Sequence, residues 1–392
     1  MATVRRRTWT TRAGDRREAW RVRYVDQHGI TRTRQFDLKR DADAFRIRAE
    51  GEVVAGIHTA DRASVTVAEA ADLWLASAAA NGCDRSTLKT YAEIARVHIV
   101  PLIGDEKLSR LAAPKVVGFR DALLETRSHA MAARAVRHLS MILSDAVERG
   151  LVAQNVARGV KVKRPRADGL RQRLAKRAEI PPKAHLQALI AAADRGANRD
   201  PALPVMLRLA MLAGPRQSEL RALPWSDVDL AAGVVTISRR ADRWNTIGPP
   251  KSAAGMRSIP IGPALVALLK TWKLRCPPNE LDLVFPSRAK GIVKQHAMAA
   301  KLLRVQIEAG VAVDSGKKTA DGDVILKARY GWHDLRHAAA SAWIAQGVDL
   351  KRLQVWIGHE NIQLTIDVYG HLIKDAKKDA ELARGSESAL LA

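Results

Sequence analysis

The chain has 392 residues, too many for one compact core, so we expect two or three domains. It carries 65 Lys and Arg against 41 Asp and Glu, a formal net charge of +24 at pH 7. A surface this basic attracts polyanions, so nucleic acid is the predicted partner. No apolar run approaches the roughly 18 residues that a membrane-spanning helix needs, which excludes a spanning protein.

The cysteine count and the N-terminal residues indicate in which cellular compartment the protein is expected. Two cysteines, Cys83 and Cys276, cannot form a disulfide framework or a thiolate zinc site. The start, MATVRRRTWTTR, is charged but has no apolar segment of the kind found in a secretory leader. We therefore expect a cytoplasmic protein with no membrane partner.

Residues 1–60 are predicted to form a β-hairpin followed by a helix. The stretch AWRVRYVDQHGITRTRQFDL alternates as strands do, with a turn at His28 and Gly29 and with Trp20, Val22 and Tyr24 on one face. The segment KRDADAFRIRAEGEVVAG follows as a helix. The exposed face of the hairpin is predicted to carry Arg21, Arg23, Arg32 and Arg34. Residues 1–60 are therefore either a small DNA-binding module or a solvated hairpin.

Residues 64–160 are predicted to form a small domain of four helices. In the first, VTVAEAADLWLASAAANG, the residues Val67, Ala71, Trp74 and Leu75 fall on one helical stripe. The others are bounded by proline or glycine: RSTLKTYAEIARVHIVPLIG, APKVVGFRDALLETR and HAMAARAVRHLSMILSDAVERGL.

A basic linker is predicted at residues 161–180. Residues 161–177 hold eight Lys and Arg against one Asp, and Pro165 and Gly169 interrupt any helix there. Such a run is either a solvated connection or a strap along DNA phosphates. The strap would use Lys161, Lys163, Arg164 and Arg166.

Residues 181–392 are predicted to be mostly helical with one small antiparallel sheet. PKAHLQALIAAAD, DPALPVMLRLAMLAG and GPALVALLKTWKLR have helical spacing. VVTISRR and MRSIPI are strand-like, and the polar stretch ADRWNTIGPPKSAAG separates them. The whole chain is thus predicted to be mainly α with small β-sheets, an α+β protein.

Several side chains in this last part could act on a phosphodiester. They are Arg216 in AGPRQSELRALPWSDVDL, Lys251 in PPKSAAG, His333 and Arg336 in WHDLRH, His359 in IGHENI and Tyr369 in DVYGH. Taken one at a time, each is more simply explained as surface charge or packing. His333 and Arg336 are three residues apart, however, and on a helix both could reach one phosphate.

The letters HDLRH also allow a metal site. His333 and His337 stand four apart on a helix, with Asp334 where zinc proteases carry Glu in H-E-x-x-H. Arg336 would place a fixed cation beside the metal, and aspartate is shorter than the glutamate that must reach a metal-bound water. A metal-dependent hydrolase remains an alternative at this point.

The complete set, in this order, resembles the tyrosine recombinases of the phage-integrase type. The matching features are Arg in G-x-R-x-S-E-L before LPWSDVDL, Lys in a β-turn, H-x-L-R-H, IGH, and Tyr in VYGH ten residues later. The stretch HIVPLIGDEKLSRLAAPKV resembles the core-binding domain of integrases, and the N-terminal hairpin and helix are similar to their arm-type DNA-binding domain. One departure is Pro215, where the family more often has Leu.

The resemblance implies a mechanism in which Tyr369 attacks DNA and forms a 3′-phosphotyrosyl bond. A phenol has a pKa of about 10, so it needs a base and an electrophilic phosphate. Arg216 and Arg336 would hold the phosphate oxygens. His333 would act as general base, Lys251 would protonate the leaving 5′-hydroxyl, and His359 would bond the phosphate. Glu219 either braces the cations or forms a structural salt bridge, and no metal, ATP or other cofactor is implied.

The resemblance also implies partners. These are double-stranded DNA attachment sites, a homo-tetramer on DNA built from dimers by docking of the C-terminal tail, an excisionase and a DNA-bending host factor. The protein would integrate or excise a phage or mobile element. A DNA-binding regulator on the same scaffold that never cuts DNA is the other alternative.

Overall fold

A computed structural model describes residues 2–11, 14–26, 29–54, 64–163 and 180–372. The chain divides into two compact units, residues 1–165 and 166–392. Helices predominate and the sheets are small and antiparallel, which confirms the predicted fold class. Three predicted features lie outside the described residues: the turn residue His28, the strap residues Arg164 and Arg166, and the tail after Leu372.

The first unit begins with a three-stranded antiparallel sheet, β1 (Thr3–Thr10), β2 (Arg16–Val25) and β3 (Thr31–Phe36), in the order β1-β2-β3. Helix α1 (Lys39–Val54) packs on one face, where Val22, Tyr24 and Phe45 form a small core. The sequence had predicted β2, β3 and α1 but not β1. Its sequence TVRRRTWT is almost wholly exposed, so it lacks the apolar alternation that marks a half-buried strand.

The four arginines predicted to share the exposed face of this sheet do not share it. Arg32 pairs with Tyr24 and Arg34 pairs with Val22 across the sheet, so both lie on the face that packs on α1. Arg32 donates to Asp26 at 2.8 Å, and the Arg34 guanidinium lies over the rings of Phe36 and Phe45. The prediction of one shared face was wrong because the turn sets the register, and a one-residue shift moves every side chain to the other face.

Arg21 and Arg23 do point away from the core, together with two arginines of β1. Arg21 pairs with Arg5 on one side and Gln35 on the other, while Arg23 pairs with Thr3 and Thr33. Arg7 lies two residues along from Arg5 and is also exposed. The outer face of the sheet is therefore basic.

The rest of the first unit is helical, as predicted. Its helices are α2 (Val67–Ala80), α3 (Arg85–Ile94), α4 (Val100–Ile103), α5 (Ala113–Thr126) and α6 (His129–Glu148). A single π-helical turn, Ala95–Ile99, joins α3 to α4 just before Pro101, which has no N–H to donate to the helix. Leu139 and Ile142 of α6 are fully buried at the centre of the core that these helices share.

The second unit combines eight helices with short strands over the residues that are described. The helices are α7 (Lys183–Arg195), α8 (Ala202–Ala213), α9 (Gln217–Leu220), α10 (Pro263–Arg275), α11 (Gln295–Glu308), α12 (Trp332–Ala345), α13 (Leu350–Ile357) and α14 (Ile362–Tyr369). The strands are β4 (Val228–Asp229), β5 (Val234–Ile237), β6 (Arg240–Ala241), β7 (Ile247–Gly248), β8 (Arg257–Pro260), β9 (Val313–Lys318) and β10 (Val324–Lys327). They form one three-stranded sheet, β4-β5-β8, and two hairpins.

Helix α8 organises the core of this unit. Its sequence ALPVMLRLAMLA is apolar almost all round, as expected for a helix buried on most sides, and α12 packs against it. A smaller cluster of Ala340, Leu353, Ile357 and Tyr369 joins α12, α13 and α14. The end of α8 and the helices α12 to α14 therefore meet in one place. No helix in the described parts of the chain is long and apolar enough to cross a membrane.

Candidate active site

Three arginines converge on the C-terminal end of α13. The last carbonyls of a helix have no partner within the helix, and they form the negative end of its dipole. Each arginine donates to one of three successive carbonyls: Arg257 to Trp356 O at 2.7 Å, Arg336 to Ile357 O, and Arg216 to Gly358 O at 2.8 Å. The arginines come from β8, from α12 and from the turn after α8, so this helix end joins distant parts of the chain.

Glu219 supplies the negative charge at the centre of the arginines. It is 2% exposed, accepts two hydrogen bonds from Arg257 at 3.1 and 2.8 Å, and accepts one from Arg216 Nη1 at 2.7 Å. Burial alone would raise the pKa of Glu219, but the hydrogen bonds and charges of Arg257, and then the charges of Arg216 and Arg336, outweigh it and lower the pKa to about 2. Three cations thus surround one anion, and the cluster keeps an excess of positive charge.

The turn after α8 determines where Arg216 points. Helix α8 ends at Ala213 and is capped by Gly214, whose φ of 60° is left-handed. A Cβ at Gly214 would meet the Cβ of Ala339 at 3.2 Å. The Gly214 carbonyl accepts from Arg336 Nη1 at 2.7 Å. Pro215 is buried, and it leaves Arg216 free to donate from its backbone N–H to Glu219 at 2.7 Å. The family departure at Pro215 therefore does not prevent these contacts of Arg216.

Of the three arginines, only Arg216 is substantially open to solvent. Its side chain is 35% exposed, whereas that of Arg257 is 1% exposed and Arg336 as a whole is 1% exposed. Burial, and then the charges of Arg216 and Arg257, lower the pKa of Arg336 to about 9, so it stays cationic at neutral pH. Arg216 is thus the arginine through which a ligand would first meet the positive cluster.

Helix α12 presents His333, Arg336 and His337 on one side. The rings of His333 and His337 meet edge to face with their centroids 4.6 Å apart. Desolvation by the surrounding protein, and then the charge of Arg336, lower the pKa of His333. Desolvation, and then the proximity of His333 and Arg336, lower the pKa of His337 to about 4. His337 is therefore a neutral imidazole near pH 7.

Helix α14 carries Tyr369 into the same place. Tyr369 is fully buried, and its Oη lies 2.7 Å from Nδ1 of His337. Burial raises the pKa of Tyr369 to about 12, although the charges of Arg336 and Arg216 act in the opposite direction.

The ring of His359 lies nearly parallel to that of Tyr369, with centroids 6.4 Å apart, and Nδ1 of His359 is 3.0 Å from Thr365 Oγ1. Desolvation, and then Arg336 and Arg216, lower the pKa of His359 to about 3.

The structure brings together most of the residues that the sequence singled out, but not Lys251. The gathered residues are Arg216, Glu219, His333, Arg336, His359 and Tyr369. Lys251 is exposed on the loop between β7 and β8 and makes no hydrogen bond or ion pair with any described residue. The part of this loop that follows Lys251 is held by a hydrogen bond from Arg257 to Gly255 O at 2.9 Å.

Sequence reasoning missed two members of this group. Arg257 appeared only as part of the strand-like run MRSIPI, and no local signal marks it as buried. His337 was considered only as a metal ligand. In the structure its Nδ1 faces the phenol, and the Asp334 carboxylate accepts from Gly331 N–H at 2.7 Å as a helix cap. The described residues contain no group of three or more His, Cys, Asp or Glu placed to hold a metal ion.

Replacing Glu219 by Gln should remove a specific part of the pH dependence of stability. Because the folded-state pKa of about 2 lies below the ordinary 4.5, Glu219 stabilises the fold above pH 4.5, and this contribution is lost as the pH falls toward 2. We expect it to amount to about 3 kcal/mol. Between pH 5 and pH 3, urea unfolding should show about 2 kcal/mol of this loss in the wild type but not in Glu219→Gln.

Glu308→Gln is the matched control for that comparison, because the partner of Glu308, Arg199, lies 3.6 Å away and is largely exposed. Glu308→Gln should follow the wild type. The same pH dependence in Glu219→Gln as in the wild type would show that the arginines do not hold Glu219 ionised.

Replacing Gly358 by Ala should destabilise the fold more than the same change at Gly310. Both glycines have a φ of 69°, so both substitutions carry the left-handed strain of about 1 kcal/mol or more. Only at Gly358 would the new Cβ also meet Ala254 O and Arg257 Cδ, each at 2.8 Å, while Gly310 has open space. The free energy of unfolding should therefore fall further in Gly358→Ala, and equal losses would contradict the close approach.

Several known proteins are similar to this chain. Residues 182–375 match the model of the phage integrase family. The tyrosine recombinase XerC of Xanthomonas campestris pv. campestris (strain B100) is 30% identical over 167 residues, 43% of this chain and 43% of XerC. An integrase of Streptomyces ambofaciens is 24% identical over 321 residues, 79% of this chain and 77% of that protein. The match to XerC thus spans less than half of either protein.

Solved structures show the same fold. The Tn1549 transposon integrase, in complex with transposon right end DNA, superimposes with a TM-score of 0.62 and 16% identity over 84% of this chain and 100% of that one. The superposition extends well beyond the family-matched residues, so the likeness of fold includes part of the first unit as well. Residues 182–375 of the chain are therefore a phage integrase domain, which resembles tyrosine recombinases such as XerC.

Proposed function

We propose that this protein is a site-specific DNA recombinase, an integrase, which cleaves and rejoins DNA strands through a 3′-phosphotyrosyl intermediate. It would integrate or excise a phage or another mobile element. The observation that carries the proposal is the meeting of a buried phenol, Tyr369, with a cluster of three arginines, among which the described residues place one carboxylate, that of Glu219. A phosphodiester is the anion that such a cluster suits.

The arginines would act on the charge that develops during phosphoryl transfer. Phosphoryl transfer depends mainly on positioning and on stabilising that charge, and guanidinium groups can serve where other enzymes use metal ions. Arg216 and Arg336 would hold the non-bridging oxygens of the scissile phosphate. Arg257 and Glu219 would keep the other two arginines in place, because Glu219 bonds both Arg257 and Arg216.

The histidines would contribute as neutral groups. Their pKa values are lowered, so near pH 7 they can donate or accept a hydrogen bond without adding charge. His359 would bond the phosphate, and His333 is the general base that the family resemblance implies. Lys251, on its exposed loop, would protonate the leaving 5′-oxygen when DNA is bound.

The covalent intermediate explains why no energy source is needed. Tyr369 Oη forms a bond to phosphorus as the bond from phosphorus to the 5′-oxygen breaks. The phosphotyrosyl linkage keeps the energy of the phosphodiester, so the 5′-hydroxyl of a second strand can attack it and restore continuous DNA. The proposal therefore includes no ATP, metal or other cofactor.

The remaining parts of the chain would bind the DNA around the cut site. We assign residues 1–60 as an arm-type DNA-binding domain, 64–160 as a core-binding domain, 161–180 as a basic linker and 181–392 as the catalytic domain with its tail. The partners would be double-stranded attachment sites and a tetramer of this chain on DNA. An excisionase and a DNA-bending host factor would control direction.

Incubation with negatively supercoiled plasmid in EDTA tests the proposal without knowledge of the attachment site. We expect the wild type to relax the plasmid and to form covalent protein–DNA adducts, and Tyr369→Phe to do neither, because it lacks the attacking oxygen. If the wild type is inactive, DNA that carries the ends of the element replaces the plasmid. Binding without any adduct on either DNA would favour the regulator, and activity only with a divalent metal would favour the hydrolase.

The basic outer face of the N-terminal sheet gives a second prediction. Arg21→Gln with Arg23→Gln should weaken binding to any DNA sequence. The slope of log affinity against log salt concentration should become shallower by up to about two, since each phosphate contact releases about one ion. The matched double variant Arg32→Gln with Arg34→Gln changes the same charge on the face that packs on α1. It should leave the salt dependence unchanged. Fluorescence anisotropy with labelled duplex DNA at several NaCl concentrations measures both, and equal effects would contradict the assignment of the outer face.

A further inference from the structure

His337 is the closest titratable partner of the Tyr369 phenol in the described structure, and the family resemblance gives it no role. Its Nδ1 lies 2.7 Å from Tyr369 Oη, and the two ring centroids are 5.5 Å apart at an interplanar angle of 65°. His333, which the resemblance implies as the base, contacts the ring of His337 but forms no hydrogen bond with Tyr369 among the described residues.

We propose that His337 accepts the phenolic proton of Tyr369 when the bond from Tyr369 Oη to phosphorus forms. The inference rests on the proposed function, and it names the acceptor in that reaction. A general base must lie within hydrogen-bond reach of the proton that it takes, and His337 meets this requirement before DNA binds.

The direction of the hydrogen bond follows from the two groups. The pKa of Tyr369 is raised to about 12 and that of His337 is lowered to about 4, so near pH 7 the phenol donates and an unprotonated Nδ1 accepts. The ring proton of His337 is then on Nε2. Desolvation, and then His333 and Arg336, lower the pKa of His337. A bound phosphodiester would place a negative charge beside Arg336 and so offset the part of this effect that comes from Arg336. Binding of DNA would thereby make His337 a stronger base.

The proton and the bonds balance over both half-reactions. In cleavage, Tyr369 Oη bonds to phosphorus, the phenolic proton moves to His337 Nδ1, the bond from phosphorus to the 5′-oxygen breaks, and Lys251 protonates that oxygen. In rejoining, the incoming 5′-hydroxyl gives its proton to Lys251, and the departing phenolate takes its proton back from His337. His333 is exposed and lies edge to face with the ring of His337.

A purely mechanical role for His337 makes a different prediction. If His337 only holds Tyr369, an asparagine should serve almost as well, because its amide can bond the phenol but cannot take up a proton. We therefore compare His337→Asn and His337→Ala in the full-length chain, using covalent adduct formation on supercoiled plasmid in EDTA. His185→Asn is the matched control, because His185 Nδ1 lies 2.9 Å from the hydroxyl of Tyr330 in another His–Tyr pair.

We expect the rate of adduct formation to fall by about 10²- to 10⁴-fold in both His337 variants, with DNA binding unchanged. Added imidazole should restore part of the activity of His337→Ala, and His185→Asn should stay near the wild-type rate. A His337→Asn variant that keeps a rate near that of the wild type would overturn the proposal and leave His337 a positioning residue.

The hydrogen bond itself can be measured without DNA. In the full-length chain with ¹⁵N-labelled histidine, Tyr369→Phe should shift the Nδ1 resonance of His337, because the phenol no longer donates to it. An unchanged resonance would overturn the inference. If this shift is seen but the wild type forms no adduct on plasmid or on DNA with the element's ends, the proposed function has failed rather than the contact between His337 and Tyr369.

Discussion

The second unit depends on how three arginines share the carboxyl end of one short helix. Guanidinium groups this close repel one another, and two of the three are almost fully buried. Two features offset that repulsion: successive carbonyls at the negative end of α13, and the carboxylate of Glu219. Because the arginines come from three separate parts of the chain, the same contacts hold β8, α12 and the turn after α8 against α13.

The carbonyls and Glu219 offset the repulsion among the three arginines only in part, and the remaining positive charge links the stability of this cluster with its proposed function. One carboxylate faces three guanidinium groups, and Nε of Arg336 is buried without a hydrogen-bond partner in the described structure. A site that is fully neutralised would have little affinity for a phosphate. Burial, and then this excess charge, lower the pKa values of His333 and His359, and the excess charge opposes the effect of burial on the pKa of Tyr369. In the proposed function, a bound phosphate would relieve the repulsion among these cations of the free protein.

The sequence predicted elements better than it predicted contacts. Apolar periodicity located helices such as α2, α6 and α8, since their buried faces repeat in the sequence. It missed β1, an exposed strand, and it placed Arg32 and Arg34 on the wrong face because a register is fixed by a turn rather than by alternation. Arg257 could not be found locally, since its role depends on Glu219, which lies 38 residues earlier.

The motif HDLRH shows why local spacing cannot assign a role by itself. On a helix its two histidines stand one turn apart, and this spacing suits a metal ion, a phosphate or a proton transfer equally well. What decides among these is the group that another element places opposite. Helix α14 brings the Tyr369 phenol to His337, while the carboxylate of Asp334 is used as the cap of α12. The same five residues would have different neighbours if α14 packed elsewhere, so the groups that face the motif are determined by the contact between α12 and α14.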